Sequence, residues 1–99
     1  MYYLISLKHT HPKDEFITLW RSNNSGYCLS GENAGVYETL EPNYHDGYNT
    51  LPIKVGILDE LFINIDYDGK KHLVPNIPSI WKVLNIKKVK NELRKIEDK

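Results

Sequence analysis

FITLWRSNNSGYCLSGENAGVY, residues 16–37, holds the signals that decide the fold of this 99-residue chain. Phe16 to Arg21 is an apolar, β-favouring run, and Tyr27 to Ser30 is a second, shorter one. Between them Asn23-Asn24-Ser25-Gly26 combines two residues that tolerate left-handed backbone with a glycine, which is hairpin chemistry. Gly31 to Gly35 then interrupts the chain with the composition of a bulge or tight bend. Val36 to Leu40 resumes as a further candidate strand. The stretch therefore predicts two or three antiparallel strands.

Working outward, Tyr2 to His9 is a partner strand, rich in the aromatic and β-branched residues that suit a pleated surface. Alternation sets Tyr3, Ile5, Leu7 and His9 on one face, the core face, with His9 at its rim. Pro12 breaks the strand and bends the chain beside His11. On the other side, residues 41–52 have loop composition, with two prolines, a glycine, two asparagines and an aspartate. That loop nevertheless carries Tyr44, His45 and Tyr48. Pro52 to Phe62 combines an extended start with a short helix bearing Ile57, Leu58, Leu61 and Phe62. Phe62 to Val74 reads as a second hairpin about Asp68-Gly69, its buried face formed by Ile63, Ile65 and Tyr67.

The C-terminal third is predicted helical. Pro78 suits a first helical position, where its missing donor does no harm. Ile80, Trp81 and Leu84 share a face, and Asn85 ends that helix and caps a second. Ile86, Val89, Leu93 and Ile96 recur at helical spacing opposite a run of lysines. The expected fold is therefore α+β: a small antiparallel sheet of four to six strands with one or two C-terminal helices.

Charge divides the chain in the same place. Residues 82–99 carry seven bases and three acids, so the remaining 81 residues carry six bases and ten acids of the thirteen of each in the chain. An acidic α+β body over 1–81 and a basic amphipathic helical tail over 82–99, within one domain, is the organisation expected. A general nucleic-acid binder would show a whole basic face instead. No apolar run approaches membrane-spanning length, and the first residues have neither the basic region nor the cleavage site of a signal peptide. With Cys28 the only cysteine, no internal disulfide is available. A cytoplasmic location follows as the expectation.

The elements YYLISLKHT, T-x-W followed by N-N-S-G-Y-C, A-G-V-Y, and V-P-N with a tryptophan five residues after the asparagine form a pattern spread over residues 2–84. It resembles a family of short bacterial, phage and prophage proteins to which no activity is attached. The resemblance implies a phage-associated setting, in which small proteins often act by binding a host component.

Several constellations have the residue types of chemical sites. His9-x-His11 has two-residue spacing on a strand, and His45, Asp46 or Cys28 would have to complete a zinc site; strand-end histidines at a wet rim are the simpler interpretation. Cys28 needs a nearby histidine to serve as a nucleophile and otherwise acts as a small apolar residue. Gly31-x-x-x-Gly35 lacks the Lys-Ser/Thr of a phosphate loop. No metal or cofactor is expected. The set that stands out is aromatic and polar: His9, Trp20, Arg21, Asn23, Asn24, Tyr27, Tyr37, Tyr44 and His45. Tyrosine and tryptophan offer large apolar area with a polar tip and are enriched at binding hot spots. The leading expectation is a non-enzymatic binding protein, acting on a host protein or a small ligand. The alternatives are nucleotide or nucleic-acid binding through stacked tyrosines and the lysine-rich tail, and a small metal- or cysteine-dependent enzyme. The apolar stripe of the tail could also form a homodimer seam.

Overall fold

The computed structural model describes residues 1–40, 49–66, 69 and 71–96. Its architecture is the α+β fold expected. The strands are β1 (Tyr2–Ser6), β2 (Leu19–Trp20), β3 (Tyr27–Cys28), β4 (Thr50–Lys54), β5 (Ile86–Val89) and β6 (Glu92–Lys95); the helices are α1 (Val55–Asp59) and α2 (Pro78–Leu84). A four-stranded sheet runs in the order β3-β2-β1-β4, and β5 and β6 form a separate two-stranded sheet. All paired strands are antiparallel. Among the described residues no helix is long and apolar enough to cross a membrane.

The first hairpin forms as its turn chemistry dictates. Leu19 faces Cys28 and Trp20 faces Tyr27. Asn23 and Asn24 adopt φ 56° and 55° and Gly26 φ 115°, so the three residues chosen for left-handed tolerance are the three that use it. The Arg21 N–H donates to Gly26 O at 2.8 Å and closes the loop. Glycines on either side serve close approach: a Cβ on Gly31 would stand 2.7 Å from the Phe62 ring, and one on Gly35 would stand 2.5 Å from the Ser22 backbone.

β1 lies between β2 and β4, and centrality explains its burial. Ile5 and Leu7 enter the main core as alternation requires, with Tyr3 packed against it. Leu4 and Ser6, on the opposite face, are also buried. Thus both faces of this strand are covered over Leu4 to Ser6. The strand ends at Ser6, leaving Leu7 to His9 as a turn.

Composition misled at residues 50–52, which belong to β4 and not to a loop. The Leu7 N–H donates to Asn49 O and the Val55 N–H to Met1 O. By alternation, Pro52 opposite Leu4 is then a pair that exchanges no backbone hydrogen bonds. Its nitrogen faces outward from an edge strand, where a missing donor costs nothing. Residues 36–40 are correspondingly less than a strand, making a single bridge between Tyr37 and Tyr2. The second hairpin is also reduced to one bridge, Ile63 with Leu73. Gly69 has the positive φ, 76°, that its turn requires; Tyr67 and Asp68 lie outside the described residues. Its isoleucine face is not the buried one, because Ile65 is 43% exposed and Phe62 packs on the core instead.

Pro78 starts α2 and Asn85 ends it in the left-handed region (φ 61°, ψ 45°), its N–H turned back to Trp81 O and Lys82 O. The second C-terminal helix does not exist. Residues 86–95 fold into the β5–β6 ribbon, with Ile86 opposite Lys95 and Lys88 opposite Leu93. Ile86 and Leu93 are both buried in the core, at about 1.5–3 kcal/mol each. Seven residues apart, they share a face in a helix and also in a hairpin, so the apolar spacing fits both. Lys90, at φ 58°, makes the turn. An isolated helix of this length is marginal, whereas the ribbon buries the same two side chains and pairs its backbone.

The V-P-N segment ties residues 11–17 to the start of α2. The Ile17 N–H donates to Val74 O, and the Asn76 N–H to Glu15 O. The buried Asn76 side chain donates to His11 O and Asp14 O, both at 2.9 Å, and accepts the Trp81 indole N–H at 2.6 Å.

Candidate functional site

Three of the expected residues come together beside β2 and β3. Trp20 and Tyr27 are directly opposed across the strand pair, so their side chains leave the same face. Their ring centroids lie 4.7 Å apart at 59°. His9 joins them from the turn after β1, its imidazole 4.0 Å from the Tyr27 ring at 33°. The result is a ladder, Trp20–Tyr27–His9, in which Tyr27 is the middle rung and 39% exposed.

Local hydrogen bonds hold the His9 rung in place. Its N–H donates to Ser6 Oγ at 3.2 Å, and Nδ1 shares a hydrogen bond with the same hydroxyl at 3.0 Å. Thr18 Oγ1 donates to His9 O. Thr10 Oγ1 donates to Ser6 O and accepts the Thr18 N–H, tying the turn to β2. Small hydroxyl residues close to the backbone thus fix an exposed ring on a rigid base.

Arg21 extends the ladder at its polar end, where Nε donates to Tyr27 O at 3.2 Å. Tyr37 is placed differently from the ladder. Its hydroxyl donates to Arg21 O and accepts the Asn24 N–H, so it braces the turn from beneath. Asn23 is exposed at the tip of that turn. Tyr44 and His45 lie outside the described residues.

Cys28 does not have the surroundings of a nucleophile. Its half-buried Sγ donates to Ser30 O at 3.6 Å. Burial pushes the thiol up from its ordinary value, and the nearby Arg21 charge opposes that only in part. His11 Nδ1 accepts the Lys13 N–H at 3.0 Å, so it serves its own turn. Among the described residues no group of three His, Cys, Asp or Glu side chains could hold a metal ion.

A second feature was not legible in the sequence. A cleft of about 580 Å³ separates the Leu7–His11 turn from residues 91–95 of the C-terminal ribbon. Leu7 and Leu93, both buried, contribute its apolar lining, and Lys8, His9, His11 and Lys95 contribute its charge and polarity. His9 therefore belongs to the ladder and to the cleft at once. The two walls are at least 80 residues apart in the chain, and no local pattern relates them.

No family model matches this chain, and no curated protein or solved structure matches it.

Proposed function

We propose that the protein is a non-enzymatic binding module that engages a protein partner through the Trp20–Tyr27–His9 ladder, with Arg21 at its edge. In the phage-associated setting implied by its sequence resemblance, that partner is a host factor and the protein its modulator. The observation that carries this reading is the ladder itself: two rings opposed across the β2–β3 pair and a third held against them by the turn after β1, the central one substantially exposed. Preorganised aromatic rings with polar tips lose little entropy on binding and bury much area, which is why they anchor interfaces. The test is retention of a partner from host lysate on immobilised protein, with nuclease present, compared with Tyr27→Ala. A protein retained by the parent chain and lost with Tyr27→Ala supports the module. Release of all bound material by nuclease would overturn it.

A second reading, nucleotide or nucleic-acid binding, draws on the position of His9, which sets a ring beside the Lys8 and Lys95 side chains of the cleft. Such binding would fall steeply with salt as counterions are displaced. A protein partner held by aromatic burial would survive moderate salt.

A further inference from the structure

The ribbon β5–β6 leaves one of its edges unpaired. The Ile96 N–H donates to Asn85 O at 2.8 Å, which fixes Asn85 and Ile96 as a hydrogen-bonded pair. Alternation along the ribbon then makes Ile86 with Lys95, and Lys88 with Leu93, the pairs that exchange no hydrogen bonds. The N–H and C=O groups of Leu93 and Lys95 accordingly point away from β5. Among the described residues no hydrogen bond meets them.

The edge opens on the cleft. Five consecutive residues, Asn91 to Lys95, line it. A strand that lined a cavity with one face would contribute alternate residues only, so what the cleft meets is the edge of β6. Facing it is a second run of five, Leu7 to His11. The volume, about 580 Å³, lies within the range of sites that enclose a ligand.

Charge selects the occupant. Among the described residues the two acids lining the cleft are engaged: Glu92 pairs with Arg94 at 2.7 Å, and Asp14 Oδ2 accepts the His11 N–H at 2.8 Å. Lys8 and Lys95 have no ion-pair partner among the described residues. A second copy of this chain pairing edge to edge about Arg94 or Lys95 would bring like charges together, the contact by which natural edge strands resist self-pairing, while pairing about Leu93 would set Glu92 against Arg94. An acidic strand meets no such penalty.

We infer that the cleft between β6 and the Leu7–His11 turn is a strand-addition site for an extended acidic peptide segment of a partner protein, hydrogen-bonded to the outward backbone groups of Leu93 and Lys95 with its carboxylates against Lys8 and Lys95. This site adjoins the aromatic ladder at His9 but is built on a different strand edge, and it goes beyond the reading given above. Main-chain hydrogen bonds supply affinity in such complexes, and alternate side chains supply specificity.

The test uses the full chain and a fluorescent alternating Glu/Val octapeptide as probe, with a Lys/Val octapeptide, an N-methylated Glu/Val octapeptide and an oligothymidylate as competitors. The Glu/Val peptide is expected to bind and to protect the Leu93 and Lys95 amides from hydrogen exchange; the Lys/Val and N-methylated peptides compete at least about tenfold more weakly. Lys8→Gln and Lys95→Gln each weaken binding. Lys95→Pro removes the outward donor as well as the charge, on an edge that tolerates proline, and is expected to lose about fivefold more than Lys95→Gln, the worth of one hydrogen bond. Tyr27 does not line the cleft, so a Tyr27→Ala variant that loses the lysate partner but still binds the Glu/Val peptide separates failure of the ladder from failure of the cleft. Equal competition by the N-methylated peptide, equal affinity of Lys95→Pro and Lys95→Gln, or stronger competition by oligothymidylate would overturn the proposal. So would protection of the same amides by self-association without peptide.

Discussion

The indole N–H of Trp81 donates to the side-chain carbonyl of Asn76 at 2.6 Å, and that one contact joins α2 to the turn that carries His11. Asn76 is 6% exposed and makes its amide donors available to two backbone carbonyls, those of His11 and Asp14. Its side chain therefore satisfies three buried or half-buried groups at once, and the five-residue spacing from asparagine to tryptophan is the one that lets a helix reach back to its own leading segment.

Asn76→Ala would leave an indole donor and two carbonyls without their partner. We expect a loss of about 3 kcal/mol in unfolding free energy, the size set by unmet buried polar groups. Asn76→Asp should cost at least as much, because it turns a carboxylate toward two carbonyl oxygens. Trp81→Phe removes only the donor and should cost about 1–2 kcal/mol. Urea denaturation of the three variants checks the order.

Two glycines should respond oppositely to the same substitution. A Cβ on Gly35 meets Ser22 Cα and N, backbone atoms that cannot rotate away, so Gly35→Ala is expected to destabilise by about 2 kcal/mol or more. Gly56 lies within α1 with nothing inside 4 Å of a built Cβ. There alanine should stabilise by about 0.5 kcal/mol or more, through helix propensity. Thermal melts of the pair would show the opposite signs.

Stability should fall at high pH because of one phenol. Desolvation by burial, together with the hydrogen bond to Asp59 Oδ1 at 2.9 Å and its charge, pushes the Tyr3 hydroxyl up to about 12 from 10.0. Between these values the folded protein holds a proton that the unfolded chain has released. The stabilisation is therefore complete below pH 10.0 and is lost as pH rises through about 12. Denaturant midpoints measured across that window should decline, and the decline should be smaller in Tyr3→Phe.

At the ladder, Tyr27→Ala is expected to weaken partner binding by about 2 kcal/mol, roughly 30-fold. Tyr27 is partly exposed and lies on a short edge strand, so the substitution should change unfolding free energy much less than binding. His9→Ala removes the neighbouring rung and should weaken binding less. Binding isotherms on variants with matched melting curves would separate the two effects.

The sequence by itself determined the elements whose causes are local. Asn23, Asn24 and Gly26 demanded left-handed backbone and obtained it, so the β2–β3 hairpin was legible, while the register that opposes Trp20 to Tyr27 came with the fold. Pro78 and Asn85 bracketed α2 for equally local reasons. Tertiary structure alone decided the rest. Ile86 and Leu93 fit a helix stripe and a hairpin face alike, and only a core able to take both from a ribbon made the choice. Pro52 looked like a loop residue until the sheet order placed it on an edge, facing outward. His9 could be read as the end of a strand, but its contact with Tyr27 depends on how Thr10 and Thr18 tie the turn to β2. The cleft beside β6 joins segments with no relation in the chain, and neighbours of that kind are fixed by packing, which no local pattern encodes.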